Sequence, residues 1–193
     1  MIDILKQLKI GLMLLLLFSI LTGIIYPAVI TGIAAIFFHG PANGSIIWKK
    51  DNAVGSLLIG QSFSNPRYFW GRPSATTPFP YNAANSTGSN LGPTNPLLLT
   101  LVKSRVENLK NNMGYGFIPV DLVTASASGL DPDISPEAAY FQAPRIAKSR
   151  HISSDQITKL ILKQTEKRTF RILGEPRINV LQLNLALDRL DGK

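Results

Sequence analysis

The stretch that decides the architecture is residues 10–38, IGLMLLLLFSILTGIIYPAVITGIAAIFF, which are 29 consecutive residues without a formal charge. A bilayer core about 30 Å thick needs about 20 apolar residues at 1.5 Å rise per residue, so this run is long enough to cross it. A buried core helix usually has a shorter apolar run and keeps a polar face. A signal peptide ends its apolar region within about 15 residues, whereas this run continues through Tyr26 and Pro27. The sequence therefore predicts one uncleaved transmembrane helix.

The orientation of this helix follows from the lysines on either side of it. Lys6 and Lys9 precede the apolar run, and the next positive residues are Lys49 and Lys50. Positive residues within about 15 to 20 positions of a span resist translocation, and long domains cross largely regardless of their charge. We therefore expect a single-pass protein of the cell (inner) membrane, with a cytoplasmic N-terminus and the soluble domain outside.

The composition limits what that soluble domain can be. Of 193 residues, 45% are apolar and 17% are charged, which excludes a disordered chain. The net charge is +8, and it is +7 without Asp3, Lys6 and Lys9, so the domain itself is basic. A basic domain suits nucleic acid, anionic lipid or an acidic protein partner. The absence of cysteine excludes disulfides, thiolate nucleophiles and Cys-ligated zinc.

The organisation we predict has three parts. Residues 1–38 form the cytoplasmic N-terminus and the single transmembrane helix, residues 39–54 form a juxtamembrane linker, and residues 55–193 form one soluble accessory domain. Turn residues and short periodic runs alternate along the domain. The predicted fold class is an α/β or α+β domain with small sheets and three or four helices.

Local signals place the elements of this domain. Asn95 before Pro96 predicts a helix that ends at Gly114, and the β-branched residues of 120–124 predict a buried strand. Capping signals and prolines then predict the rest: a strand near residues 45–48, a helix opened by Ser135 that Pro144 kinks or ends near Ala143, a helix opened by the Ser153 and Gln156 capping box, a strand over 178–181 and a helix over 183–190.

A long irregular segment between Gly55 and Pro96 is the first candidate for function. Its six prolines exclude a long helix or a central strand, and irregular segments of this length in compact domains usually bind something. We predict a partner-facing surface on the GRPSA stretch, residues 71–75, and on residues 81–96, whose candidate residues are Gly71, Arg72, Pro73, Ser89, Asn90, Gly92, Pro93 and Asn95. Arg72 either binds a carboxylate or carbonyls of a partner, or fixes its own loop.

Signatures of catalysis and of metal binding are missing from the sequence. His39 and His151 have no spaced ligand partners, and no glycine-rich loop carries a lysine for phosphate, so we expect no catalytic residue and no metal site. A weak polar cluster, Asp131, Asp133 and Glu137, is explained better by Asp-Pro turns and a helix N-terminus than by a bound cation. The arginines near the C-terminus lack the interleaved aromatic residues of single-stranded nucleic-acid binders, so no nucleic-acid partner is expected.

Five segments together carry a family resemblance. They are GQSF at 60–63, YFWGRPSA at 68–75, YNAANSTGSNLGPTNP at 81–96, DLVTASASGLDPDISPEAA at 121–139 and LGEPRINVLQLNLAL at 173–187. In this order behind one span, they resemble the C subunits of the Kdp potassium-transporting ATPases, the KdpC family. The resemblance covers the span and nearly all of the domain.

This resemblance implies a noncatalytic accessory subunit of an ATP-driven, high-affinity potassium uptake complex. Its partners would be a potassium-channel-like subunit, an ATP-hydrolysing P-type subunit and a small membrane subunit. The family's C subunit is described as a chaperone that raises the ATP affinity of the catalytic subunit, so ATP is a possible ligand by resemblance only. The glutamine-rich pattern expected for a nucleotide contact is replaced here by TEKR, residues 165–168, so no cofactor-binding residue is assigned. The alternative is a membrane-tethered envelope enzyme or binding protein.

Overall fold

The chain forms two compact units, one ending at Ile46 and the other beginning at Ile47. This description rests on a computed structural model, which describes residues 2–114 and 116–190. The domain boundaries expected from the sequence, after residues 38 and 54, stay predictions.

The first unit is almost entirely one apolar helix. It consists of α1 (Ile2–Ile20), a π-helical turn (Leu21–Ile25), α2 (Tyr26–Phe37) and the short α3 (His39–Ala42). Within residues 3–37 an 18-residue window reaches a mean hydropathy of 2.4, and within the described ranges this is the one helix long and apolar enough to cross a membrane. The Tyr26 amide donates to the Leu21 carbonyl five residues back, so the π turn lies directly before the proline at position 27, which has no amide to donate.

The second unit contains two small sheets and four helices of eleven residues or more, which confirms the predicted fold class. Its elements are β1 (Ile46–Lys49), β2 (Asn52–Ser56), α4 (Pro96–Met113), a 3-10 turn (Val120–Leu122), β3 (Asp133–Ile134), α5 (Pro136–Arg150), α6 (Ser154–Gln164), β4 (Ile178–Asn179) and α7 (Val180–Leu190). β1 pairs with β2. β3 runs antiparallel to β4, with Ile134 opposite Ile178.

The predicted helix starts are confirmed by their caps. The Asn95 side chain accepts the Leu97 amide, and the Ser135 hydroxyl accepts the Ala138 amide. Ser153 and Gln156 form the reciprocal capping box at the start of α6. Each cap satisfies a backbone amide that the first helical turn leaves without a partner.

One sequence prediction was wrong, and the prediction for Pro144 was wrong in one of its two forms. Residues 120–124 form a turn instead of a strand, because their backbone bonds are made locally: the Leu122 amide donates to Pro119 and the Thr124 amide to Val120. Pro144 does not end its helix, since α5 continues to Arg150. Pro144 lies on the exposed side of α5, so the carbonyl that it leaves without a donor belongs to exposed Tyr140 and is open to water. In addition, α7 begins at Val180, earlier than predicted.

The core lies where α5, α6, α7 and the β3–β4 sheet meet. Six large apolar side chains are fully buried there: Ile146, Ile157, Ile161, Ile178, Leu183 and Leu187. Fully burying an aliphatic side chain contributes about 1.5 to 3 kcal/mol, so these residues account for much of the stability of the domain. Phe69, from the irregular segment, is also fully buried in this core.

Two buried amide side chains fix the irregular segment to the helices. Asn184 accepts the Phe69 amide at 2.8 Å and donates to the Phe69 carbonyl at 3.0 Å. Gln142 accepts the Trp70 amide at 2.8 Å and donates to its carbonyl at 3.1 Å. Each side-chain amide thus bonds to both the amide and the carbonyl of one residue, as a neighbouring strand would. Phe69 and Trp70 are held in this way although neither belongs to a strand of the described residues.

Arg145, on α5, completes the attachment. Its guanidinium donates to the carbonyls of Pro66 and Tyr68 and lies 4.4 Å from the centre of the Trp70 ring. Burial lowers the pKa of Arg145 to about 10, so the side chain is still charged at neutral pH. Residues 66–70 are thus held by the Arg145 guanidinium and by the side-chain amides of Gln142 and Asn184. The position at which the chain continues into Gly71 is therefore fixed.

A projecting hairpin, residues 166–177, links α6 to β4. Its base is closed by reciprocal backbone bonds between Glu166 and Arg177, and its tip by reciprocal bonds between Thr169 and Leu173. All residues from 166 to 175 are exposed.

Candidate partner-facing cleft

An open cleft of about 470 Å³ lies on the second unit, beside the first turn of α5. Its lining combines apolar side chains, called here the apolar wall, with charged groups. The apolar wall consists of Phe117, Ile118, Pro119, Val120, Ile134 and Pro176, and the charged groups are Arg72, Asp121, Asp131, Asp133, Glu137, Glu175 and Arg177. The cleft therefore holds five carboxylates and two guanidiniums, which makes it acidic on a domain that is basic as a whole.

Arg72 and Asp131 form the central ion pair of this cleft. Nη1 of Arg72 lies 2.9 Å from Oδ2 of Asp131, and the two side chains are 26% and 28% exposed. The two residues are 59 positions apart, so the pair connects the GRPSA stretch to the segment that begins β3. Nε of Arg72 is buried and has no hydrogen-bond partner. Arg72 thus does fix its own loop, and the prediction that it also faces a partner stays a prediction.

The Tyr81 side chain is hydrogen-bonded to the backbone of Arg72. Its hydroxyl donates to the Arg72 carbonyl at 2.5 Å, and burial, with a smaller effect from Asp131, raises the pKa of Tyr81 to about 12. A Cβ at Gly60 would lie 2.3 Å from the Tyr81 ring, and one at Gly71 would lie 2.6 Å from the Tyr81 hydroxyl. Glycine is therefore required at both positions, because a larger residue would occupy the space of the Tyr81 side chain.

Asp133 faces a second guanidinium. Nε of Arg177 lies 3.1 Å from Oδ2 of Asp133, and Nη2 of Arg177 lies 2.9 Å from Oε2 of Glu166. Burial raises the pKa of Asp133, and the neighbouring Asp131 raises it further, while Arg177 lowers it. Arg177 therefore joins the base of the 166–177 hairpin to the floor of the cleft.

The weak polar cluster predicted from the sequence is brought together here with Arg72. Asp131, Asp133 and Glu137 all line the cleft, and Glu137 lies in the first turn of α5, where the helix dipole favours a negative charge. Asp131 also accepts the Asp133 amide at 3.0 Å, which is the Asp-Pro turn expected from the sequence. Among residues 2–114 and 116–190, no group of three or more His, Cys, Asp or Glu side chains is arranged to hold a metal ion.

The other predicted partner-facing residues lie elsewhere. Ser89, Asn90, Gly92 and Pro93 are exposed in the loop before α4 and do not line the cleft, while Asn95 caps that helix. Gly71 and Pro73 flank Arg72 and are half-buried.

Serine hydroxyls hold residues 71–75 and 81–96, the two segments that we predict to face a partner, to residues 128–129. The Ser74 hydroxyl donates to the Gly129 carbonyl at 2.7 Å, and the Ser86 hydroxyl donates to the Ser128 carbonyl at 3.0 Å. The TASASGLD run, residues 124–131, is thus a common support.

Sequence reasoning missed Arg177 and the apolar wall. No motif marks Arg177 in the sequence, yet its guanidinium contacts the carboxylate of Asp133, 44 residues away in sequence. Phe117 and Val120 are 91% and 69% exposed, so an apolar surface remains uncovered at the edge of the cleft. Large exposed apolar residues of this kind are typical of interaction sites.

Comparison with known proteins gives consistent results. Residues 8–189 match the family model for KdpC, described as K+-transporting ATPase, c chain. The chain is 55% identical to the potassium-transporting ATPase KdpC subunit of Polynucleobacter asymbioticus, over 91% of this chain and 94% of that protein. The proteins of the same name from Methylococcus capsulatus and Geobacter sulfurreducens are 54% and 55% identical, over 94% and 96% of this chain and 97% and 98% of theirs.

Proposed function

Because this chain belongs to the KdpC family, the c chains of K+-transporting ATPases, we propose that it is the noncatalytic accessory subunit of an ATP-driven potassium uptake complex. In this role it stabilises the assembled complex and raises the ATP affinity of the catalytic subunit. The observation that carries the proposal is the length of the match, since residues 8–189 include both the span and the domain. The partners we propose are a channel-like subunit that carries potassium, a subunit that hydrolyses ATP and a small membrane subunit.

We propose further that the domain lies outside the cell membrane. Lys6 and Lys9 stand before the span, and no Lys or Arg follows until position 49. Protease added to intact spheroplasts should then remove the domain and leave a fragment containing the span. Protection until the cells are lysed would place the domain in the cytoplasm and contradict this orientation.

Action on ATP must be indirect in this arrangement. An outside domain has no access to cytoplasmic nucleotide, so it changes ATP affinity only by binding one conformation of the pump more tightly than another. The coupling is limited to that difference in affinity and is typically about 1 to 3 kcal/mol. The subunit would therefore act through contacts made by the surface of its domain, and not through a nucleotide site within the domain.

The cleft is the surface we propose for contact with the larger subunits. It combines an uncovered apolar wall, including Phe117 and Val120, with charged groups held in place by Tyr81 and Arg177. Interfaces commonly combine apolar anchors with fixed charges that select the partner. The charge of the cleft favours a basic segment of the partner.

Affinity purification tests the accessory role. A tagged full-length chain should recover the other subunits from detergent extracts, whereas a chain with Val120→Lys, which places a positive charge on the apolar wall, should recover less of them. Leu162→Lys on α6 is the matched control, because Leu162 is 62% exposed and does not line the cleft. Equal recovery with both variants would remove the cleft from the contact surface. Failure of the full-length chain to recover any partner would contradict the accessory role itself.

The alternative of a membrane-tethered enzyme has no comparable support. Its sequence basis was the basic charge and the long irregular segment. The structure shows that much of this segment is fixed to the helices by Asn184, Gln142 and Arg145.

A further inference from the structure

The tip of the 166–177 hairpin is the largest feature that the accessory role leaves unexplained. Phe170 is 84% exposed, Ile172 is 77% exposed and Leu173 is 61% exposed. All ten residues from 166 to 175 are exposed, so the tip projects from the domain and covers none of its core. Water-exposed clusters of large apolar side chains mark protein or membrane interaction sites.

The backbone of the tip presents these side chains in a defined way. Phe170 and Arg171 have φ values of 53° and 66°, in the left-handed region, and the Ile172 amide donates to the Thr169 carbonyl at 3.2 Å. Two consecutive left-handed residues in a four-residue turn form the tight hairpin turn that normally selects asparagine and glycine. The turn itself therefore does not favour phenylalanine at position 170. Because Phe170 is also not needed in the core, we take it to act in a contact outside the domain.

The charges around the tip are positive. Lys167 and Arg171 are exposed and make no ion pair with any residue of the described ranges, whereas Arg168 is paired with Glu175 at 2.6 Å. At the base, Arg177 is held by Glu166 and Asp133. The unpaired cations thus lie beside the exposed apolar side chains, on a hairpin whose base is fixed.

We propose that this tip binds the surface of the lipid bilayer and inserts Phe170, Ile172 and Leu173 among anionic headgroups. Aromatic and aliphatic side chains flanked by Lys and Arg are the combination that interfacial membrane segments use. The same chain carries the span, and only residues 38–45 separate the end of α2 from β1, so the bilayer is always near the domain. This contact would orient the domain on the membrane, whatever its effect on ATP.

Single-cysteine labelling can test this directly, because the chain has no cysteine of its own. The full chain with Leu173→Cys carries an environment-sensitive fluorophore and is placed in nanodiscs of phosphatidylglycerol and phosphatidylcholine. Leu99→Cys on α4 is the matched control, because Leu99 is a leucine of similar exposure, 57%, that lies outside the hairpin. Brominated acyl chains should quench the label at 173 and leave the label at 99 unchanged.

Charge variants then test the role of the cations. Lys167→Gln or Arg171→Gln should each lower the constant for binding of the tip to the bilayer about fivefold, because a basic residue near an anionic surface contributes about that factor. Ile172→Cys repeats the measurement from a neighbouring position. Equal quenching at 99 and at the tip, or quenching unaffected by both charge variants, would overturn the proposal.

Crosslinking separates a lipid contact from a protein contact. A photoreactive label at 173 in the assembled complex should react with lipid. A crosslink to another subunit in place of lipid would overturn the proposal and assign the tip to a protein interface. Neither outcome depends on whether the domain changes ATP affinity, so this proposal and the proposed function fail separately.

Discussion

Replacement of Arg72 is the perturbation that best separates folding from assembly. The Arg72→Ala variant removes the 2.9 Å ion pair with Asp131, in which each side chain is about three-quarters buried. Exposed pairs contribute about 0 to 1 kcal/mol, and breaking a fully buried pair costs about 3 to 5 kcal/mol, so we expect a loss of about 1 to 2 kcal/mol. The loss of the buried, unpartnered Nε donor offsets part of this cost.

The assay for this loss is thermal unfolding of the full chain in detergent. For a domain of this size, 1 kcal/mol corresponds to roughly 2 to 4 °C, so the midpoint should fall by about 2 to 8 °C. Arg189→Ala, an exposed arginine on α7, should change it little. A double-mutant cycle with Asp131→Ala should give a coupling energy of about 1 kcal/mol.

The same variant tests the partner-facing prediction at a temperature where both proteins are folded. If Arg72 also contacts a partner, recovery of the other subunits with Arg72→Ala should fall below that with Asp131→Ala. Equal recovery with the two variants would assign Arg72 to the fold alone. An unchanged midpoint together with zero coupling would refute the structural reasoning.

Two further predictions concern the supports of the cleft and of the irregular segment. Tyr81→Phe should cost about 1 kcal/mol through the lost bond to the Arg72 carbonyl. The pKa of Tyr81 is about 12 in the folded protein and 10.0 in the unfolded chain, so the wild type should lose stability as pH rises from about 10 to 12. Denaturant titrations should show a weaker dependence of stability on pH for Tyr81→Phe than for the control Tyr140→Phe. Arg145→Met removes the guanidinium donor from the Tyr68 carbonyl and leaves the Pro66 carbonyl only the Ser149 hydroxyl, so stability should fall by about 1 to 3 kcal/mol. Exposed Lys148→Met should change it by less than about 0.5 kcal/mol in the same titration.

Local signals were sufficient for the elements whose structure depends on neighbouring residues. The caps at Asn95, Ser135 and Ser153 place three helices correctly, because each cap is a short-range hydrogen bond. The transmembrane helix follows from length and hydropathy alone.

Predictions that depended on distant contacts were less successful. Residues 120–124 have strand-forming side chains, but no partner strand lies beside them and the backbone bonds close within a turn. Pro144 carries a helix-ending signal that tertiary packing overrides, since Ala143, Arg145 and Ile146 are buried around it. The sequence could not show that Arg72 meets Asp131, because 59 residues separate them. The same holds for the pairing of Arg177 with Asp133.

The most direct test of the proposed role is the ATP dependence of the assembled transporter. ATPase activity would be measured against ATP concentration for the complete complex and for one whose accessory subunit ends at Phe38, at matched amounts of assembled complex. A coupling of about 1 to 3 kcal/mol predicts that the truncated complex needs roughly 5 to 150 times more ATP for half-maximal turnover. An unchanged ATP dependence, with a changed potassium dependence, would contradict the account and assign the domain to the ion entrance instead.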